Sequence, residues 1–99
     1  MTHRELQELV LSRDKCRCIE CTEYSLETHH IIRRKLQGAW DKRNMVTLCA
    51  NCHRGKNKQA GAHTHAKRIE HIRYLIEHYQ YDYSDMGALW QGLVREANG

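Results

Sequence analysis

Two Cys-x-x-Cys pairs constrain this chain more than any other feature of its sequence. Each pair is called a knuckle: Cys18 with Cys21 is the first, and Cys49 with Cys52 is the second. The two-residue spacing lets both sulfurs of a knuckle reach one ion at about 2.3 Å, and four thiolates leave no ligand position for water. The sequence therefore predicts one structural Zn²⁺. The 27 residues between the knuckles exceed an ordinary zinc-ribbon loop, which indicates that something sizeable folds between them.

A metal staple also fits the size of the chain. It has 99 residues, no Phe and only 7% aromatic residues, so the predicted core is thin, and domains this small commonly need a metal, a disulfide or a partner. Five cysteines, without a signal-peptide pattern, argue against a disulfide framework, and Cys16 is expected to be a free or buried thiol. No apolar run approaches the roughly 20 residues of a membrane span. We expect no membrane association and a cytoplasmic location.

Positive charge is concentrated in the middle of the chain. Residues 29–68 carry ten Lys or Arg and a single acidic residue, a net charge of +9, whereas residues 1–28 and 69–99 are net −2 and −3. Such a one-sided segment favours binding to a polyanion, although a merely solvated basic surface is the alternative. The candidate phosphate-binding residues are Arg33, Arg34, Lys35, Lys42, Arg43, Arg54 and Lys56.

Hydrophobic spacing and capping residues predict an α+β fold in one domain, residues 1–99. Thr2 and Glu5 form a capping box for an N-terminal helix that ends near Ser12. Within a motif core of residues 13–58 we predict two strands and a helix, followed by a C-terminal helical pair over residues 66–97, its second helix capped by Ser84. The core elements are strands at residues 28–32 and 44–48 and a helix at residues 50–59.

Two adjacent histidines lie on the first of these strands. Neighbouring residues of a strand face opposite sides, so His29 and His30 cannot do the same job unless the strand bends at its end. One could hold a metal ion with His53, the first residue after the second knuckle, while the other meets water. His63 and His65 form a His-Thr-His step that could bind a metal ion adventitiously, but we interpret it in preference as a solvated linker.

The motifs RDKCRCIEC, THHII and NMVTLCANCH resemble the HNH endonuclease family, in its zinc-containing branch with the ββα-metal fold. The resemblance runs from about residue 13 to residue 58. It implies hydrolysis of DNA phosphodiester bonds, with His30 as general base and Asn44 fixing the loop of that base. It implies further that His29 and His53 hold a catalytic divalent ion, which could be Mg²⁺, Mn²⁺, Ni²⁺ or Zn²⁺; imidazole ligands favour the transition metals.

Two other functions are compatible with these motifs. The first is a non-catalytic zinc-ribbon module that binds nucleic acid, and the second is an accessory factor of a larger phage packaging or restriction complex. A homodimer is a further open question. The three histidines favour the enzyme, because a binding module has no need of His29, His30 and His53 at these positions.

Overall fold

The N-terminal helix begins where the capping box predicts. The computed structural model describes residues 1–33, 40–55 and 61–99. Helix α1 is His3–Arg13, the amide of Glu5 donates to the Thr2 hydroxyl at 3.1 Å, and the Glu5 carboxylate accepts from the Thr2 amide at 3.0 Å. The buried face of α1, Leu6 with Val10, packs on Met45. The helix thus covers one side of the central motif.

That central motif consists of two short strands and a short helix. Strand β1 (Thr28–His30) pairs antiparallel with β2 (Met45–Thr47), and helix α2 (Ala50–Arg54) follows. Each strand is shorter than predicted. Beyond β1, the amide of Ile32 donates to a side chain, Asn44 Oδ1, and so leaves the strand ladder. Helix α2 ends at Arg54 because Gly55, with φ of 87°, forms its C-cap, so the predicted extent to residue 59 is wrong at Gly55; residues 56–59 lie outside the described part.

Two helices close the fold, as predicted. Helix α3 (His65–Tyr79) is capped by Thr64, and helix α4 (Ala88–Asn98) packs beside it. The predicted cap of the last helix is wrong: the Ser84 hydroxyl donates to Asp82 at 3.0 Å, and Gly87 precedes the first turn. Both helices share one buried cluster with the central motif, formed mainly by Ile31, Ile32, Val46, Leu48, Ile72, Leu75, Trp90 and Leu93. Within the described ranges, no helix is long and apolar enough to cross a membrane.

A buried ion pair, Arg13 with Asp14, connects α1 to the central motif and to α3. The Arg13 guanidinium donates to both oxygens of Asp14, at 2.9 and 3.0 Å, and also to the Met45 carbonyl at 2.7 Å. Asp14 in turn accepts from the Thr47 amide at 3.0 Å and from the Tyr79 hydroxyl at 3.1 Å. One carboxylate therefore joins the end of α1 to β2 and to α3. Such a pair is stable only when its remaining hydrogen-bonding groups are satisfied, as they are for this carboxylate.

Candidate metal centres and phosphate-binding face

The two knuckles have different local structures, and together they bring four sulfurs close to one another. The first lies in a tight turn after α1, where the Cys18 amide donates to the Glu23 carbonyl at 2.8 Å and Thr22 has a φ of 68°. In the second, Cys49 is the N-cap of α2, and its sulfur accepts from the Cys52 amide at 3.5 Å. The sulfurs of the four cysteines lie within 4.8 Å of one another, as the spacing predicts.

This cluster fits a tetrahedral zinc ion. Bonds of 2.3 Å in tetrahedral geometry place neighbouring sulfurs about 3.8 Å apart, and the sulfurs of Cys21 and Cys49 are 3.5 Å apart. Burial and the three neighbouring cysteines raise the pKa of Cys52, since thiolates this close repel one another. A divalent cation would remove that repulsion. Cys16 is a free thiol outside the cluster, in agreement with the sequence prediction.

The two strand histidines occupy different environments. His29, opposite Val46 in the sheet, is only 1% exposed. His30, opposite Met45, is the last residue of β1 and is half-buried. Its ring meets the Trp40 ring edge-on at a centroid distance of 4.6 Å, and Trp40 stacks on His3 at 3.6 Å. Trp40 therefore packs between α1 and the end of β1.

Three histidines from three segments, His29, His53 and His63, lie together. The ring centroid of His29 lies 4.8 Å from that of His53, on α2, and 4.6 Å from that of His63, in the turn before α3. One ring nitrogen from each of the three lies within 4.8 Å of the others, a separation that one metal ion can bridge. The interpretation of His63 as solvated linker is therefore wrong, whereas His65 is exposed and pairs with Glu96 at 2.7 Å.

The approach of the His63 segment to α2 depends on a glycine. The Ala62 amide donates to the His53 carbonyl at 3.1 Å. A Cβ on Gly61 would come within 3.2 Å of the carbonyl oxygens of both His53 and Arg54. A larger residue at position 61 would need α2 or the segment to shift by a few tenths of an ångström, so the glycine favours this close approach.

The environment of His29 favours a neutral, ligating imidazole. Burial, followed by the charges of the neighbouring histidines His71, His63 and His53, lowers the pKa of His29 to about 2. Neither ring nitrogen of His29 has a hydrogen bond within the described residues. Buried polar atoms are nearly always satisfied, so two unsatisfied nitrogens on one ring indicate an absent partner, and a metal ion is one that suits imidazole.

Asn44 fixes the segment that leaves β1. It is fully buried, its Oδ1 accepts from the Ile32 amide at 2.8 Å, and its Nδ2 donates to the Ile32 carbonyl at 3.1 Å. The Asn44 carbonyl also accepts from the Ile31 amide at 2.8 Å. These bonds hold the two residues that directly follow His30.

Comparison with known proteins agrees with this geometry. The profile of the HNH endonuclease family matches residues 15–59, the stretch that contains both knuckles, the paired histidines and Asn44. The chain belongs to the HNH family. It is also 36% identical over 53 residues to a Nostoc sp. protein named Anaredoxin, an alignment that covers 52% of this chain and 70% of that protein. No solved structure matches the chain significantly.

The basic residues of this HNH chain fall into two groups. Arg33 and Arg54 line an open pocket of about 590 Å³ together with His53, Gly61, His63 and Thr64. Arg54 also pairs with Glu27, at 3.6 Å. Arg43 is held more closely, by Asp41 at 2.8 Å and by Asp85, and Lys42 lies 5.3 Å from the centre of the Tyr81 ring. The pocket group is the better placed for a phosphate ligand. Three further candidates, Arg34, Lys35 and Lys56, lie outside the described residues.

Proposed function

We propose that this HNH protein is a metal-dependent DNA endonuclease that hydrolyses phosphodiester bonds. The observation that carries the proposal is the histidine cluster: His29, buried and with both ring nitrogens unsatisfied within the described residues, faces His53 and His63. A non-catalytic zinc module needs only the cysteine site. A second set of metal ligands, beside a pocket lined by arginines, is what an enzyme acting on phosphates requires.

In this proposal His29, His53 and His63 hold one divalent ion. Such an ion, when bound, supplies charge stabilisation for the phosphate and for the departing oxygen. Three imidazoles leave other coordination positions open for phosphate and water, and they favour Mn²⁺, Ni²⁺ or Zn²⁺ over Mg²⁺ as ligands. The four cysteines hold Zn²⁺ in a structural role only, since four thiolates leave no open position.

The remaining residues act on water and on the substrate. His30 accepts the proton of the attacking water, which suits an imidazole that is neutral near pH 7. Asn44 restrains the backbone of Ile32 and thereby the direction of the neighbouring base. Arg33 and Arg54 contact phosphate oxygens of the DNA through charge-assisted hydrogen bonds. The contacts are to the backbone, so little sequence discrimination is expected from them.

The test is nicking of supercoiled plasmid by zinc-loaded protein with Mg²⁺, Mn²⁺, Ni²⁺ or added Zn²⁺. The parent should cut with at least one ion. His53→Ala and His63→Ala should cut slowly at low metal, and excess ion should partly restore the rate because it compensates for a weaker site. His65→Ala is the matched control: the same segment carries it, but it lies outside the cluster. If the parent fails to cut with every ion tested, the non-catalytic binding or accessory module is favoured.

A further inference from the structure

A fourth histidine lies behind the cluster and is not one of its ligands. His71, on α3, is 1% exposed, and its ring centroid is 5.7 Å from that of His29, with the two planes 76° apart. Its Nε2 is 3.3 Å from a carboxylate oxygen of Glu20. Glu20 stands between the two cysteines of the first knuckle, so this contact connects the zinc site to the interior of the histidine cluster.

The contact with Glu20 sets which nitrogen of His71 carries a proton. Lys67 donates to the other oxygen of Glu20. Glu20 therefore forms an ion pair with Lys67, and the carboxylate in that pair is ionised. An ionised carboxylate only accepts hydrogen bonds, so Nε2 of His71 must donate. In the neutral ring Nδ1 is then an acceptor, and this buried Nδ1 has no hydrogen bond within the described residues.

His29 has the complementary need. When one nitrogen of a histidine binds a metal ion, the other bears a proton and nearly always donates it to a neighbouring acceptor. His53 and His63 are committed to the same ion, whereas His71 faces His29 with an unused acceptor. The χ2 torsion of histidine has a broad minimum, and centroids 5.7 Å apart leave two ring nitrogens near hydrogen-bonding distance once they point at each other.

We infer that Glu20 and His71 are positioning residues for the histidine metal site: His71 Nδ1 accepts the hydrogen bond of metal-bound His29, and Glu20 fixes the tautomer of His71. This inference rests on the proposed function, because it takes His29 as a ligand. It gives the first knuckle a second role. The turn that holds zinc also places the carboxylate at the end of a chain that runs through His71 to His29.

Two substitutions of His71 separate positioning from packing. His71→Leu keeps an apolar side chain in the core but removes the acceptor, whereas His71→Asn places an amide oxygen near the position of Nδ1. Loss of such an outer partner typically costs 10–100-fold in metal affinity. We expect His71→Leu to weaken Ni²⁺ binding by that factor, with zinc content unchanged, and His71→Asn to retain most of the affinity. A purely structural role predicts the reverse order, because an amide fits an apolar core worse than Leu does.

The measurement is calorimetric titration of zinc-loaded protein with Ni²⁺, with zinc analysis of each sample. Glu20→Gln should weaken binding less than His71→Leu does. Glu70→Gln, which removes a carboxylate that pairs with the same Lys67 but lies outside the contacts of His71, should change nothing. Long-range ¹H–¹⁵N spectra of the parent should show His71 protonated at Nε2, which tests the inference even where a variant fails to fold.

The outcomes are distinguishable. A parent that binds no Ni²⁺ beyond its zinc overturns the proposed function and this inference with it. Two results would overturn the inference alone, in a parent that does bind Ni²⁺. In the first, His71→Leu binds Ni²⁺ as tightly as the parent; in the second, His71→Asn binds it no more tightly than His71→Leu. Spectra that show a proton on Nδ1 of His71 would also overturn the inference alone.

Discussion

Replacement of Asn44 by Ala tests how the base is held. The change removes both side-chain bonds to Ile32, whose amide and carbonyl stay buried because Ile32 is 1% exposed. Each buried group left unsatisfied costs about 1–3 kcal/mol, so the free energy of unfolding should fall by about 2–6 kcal/mol. At 4–8 °C per kcal/mol for a domain of this size, the melting temperature should fall by about 10 °C or more.

The same variant should also cleave more slowly. The segment after β1 loses its restraint while His30 itself remains, so the rate loss should be intermediate between the parent and His30→Ala. Thr47→Val is the matched control. Thr47 is equally buried, in β2, but its hydroxyl has no hydrogen bond within the described residues, so its removal should shift stability by less than about 1 kcal/mol. Calorimetry and plasmid nicking on the same samples provide the readouts.

The argument about Asn44 fails in either of two cases. If Asn44→Ala melts within a few degrees of the parent, the bonds to Ile32 carry little free energy. If it is destabilised but cuts at the parent rate, measured well below its melting temperature, the restraint has no bearing on the base.

Three further predictions concern zinc, DNA and pH. Cys18→Ser should lose its zinc and unfold, since structural zinc contributes on the order of 10 kcal/mol to the folding of small domains. Cys16→Ser should keep its zinc, checked by metal analysis, and its fold, checked by circular dichroism. A zinc-free Cys18→Ser that melts like the parent would contradict this. Combined Arg33→Ala and Arg54→Ala should weaken duplex binding and flatten its salt dependence in fluorescence anisotropy, more than Arg43→Ala does; equal effects would refute the pocket assignment. Cleavage at saturating metal should rise from about pH 6 to about pH 7.5 and then level, because a histidine base must be neutral; a rate flat from pH 5 to 9 would exclude that base.

Features that depend on local spacing could be predicted from the sequence. Spacings of one to three residues predict three features: the two knuckles, the capping box at Thr2, and the opposite faces of His29 and His30. The structure has all of them. The ββα order and the C-terminal helical pair follow from hydrophobic periodicity. The family resemblance rests on the same local motifs.

Features that depend on contacts between residues distant in sequence could not be predicted from the sequence. His63 joins the cluster because the chain turns back at Gly61 against the end of α2, and a His-Thr-His step gives no sign of that turn. Gly61 itself was the available signal. Arg43 looked like a free cation in a basic loop, but its partner Asp85 is 42 residues away. His71 shares helical spacing with core residues, so its contact with Glu20 was hidden by ordinary amphipathicity.

The most direct test of the account compares the cleavage rates of the parent and His30→Ala. Supercoiled-plasmid nicking is measured at saturating Mn²⁺, with zinc content, melting temperature and DNA affinity determined on the same samples. His30→Ala should keep all three properties and its second metal ion, yet lose about 10²–10⁴ in rate, the usual effect of removing a positioned base. If a folded, zinc-loaded His30→Ala cuts as fast as the parent, His30 is not the base and the assignment of roles among the histidines is wrong.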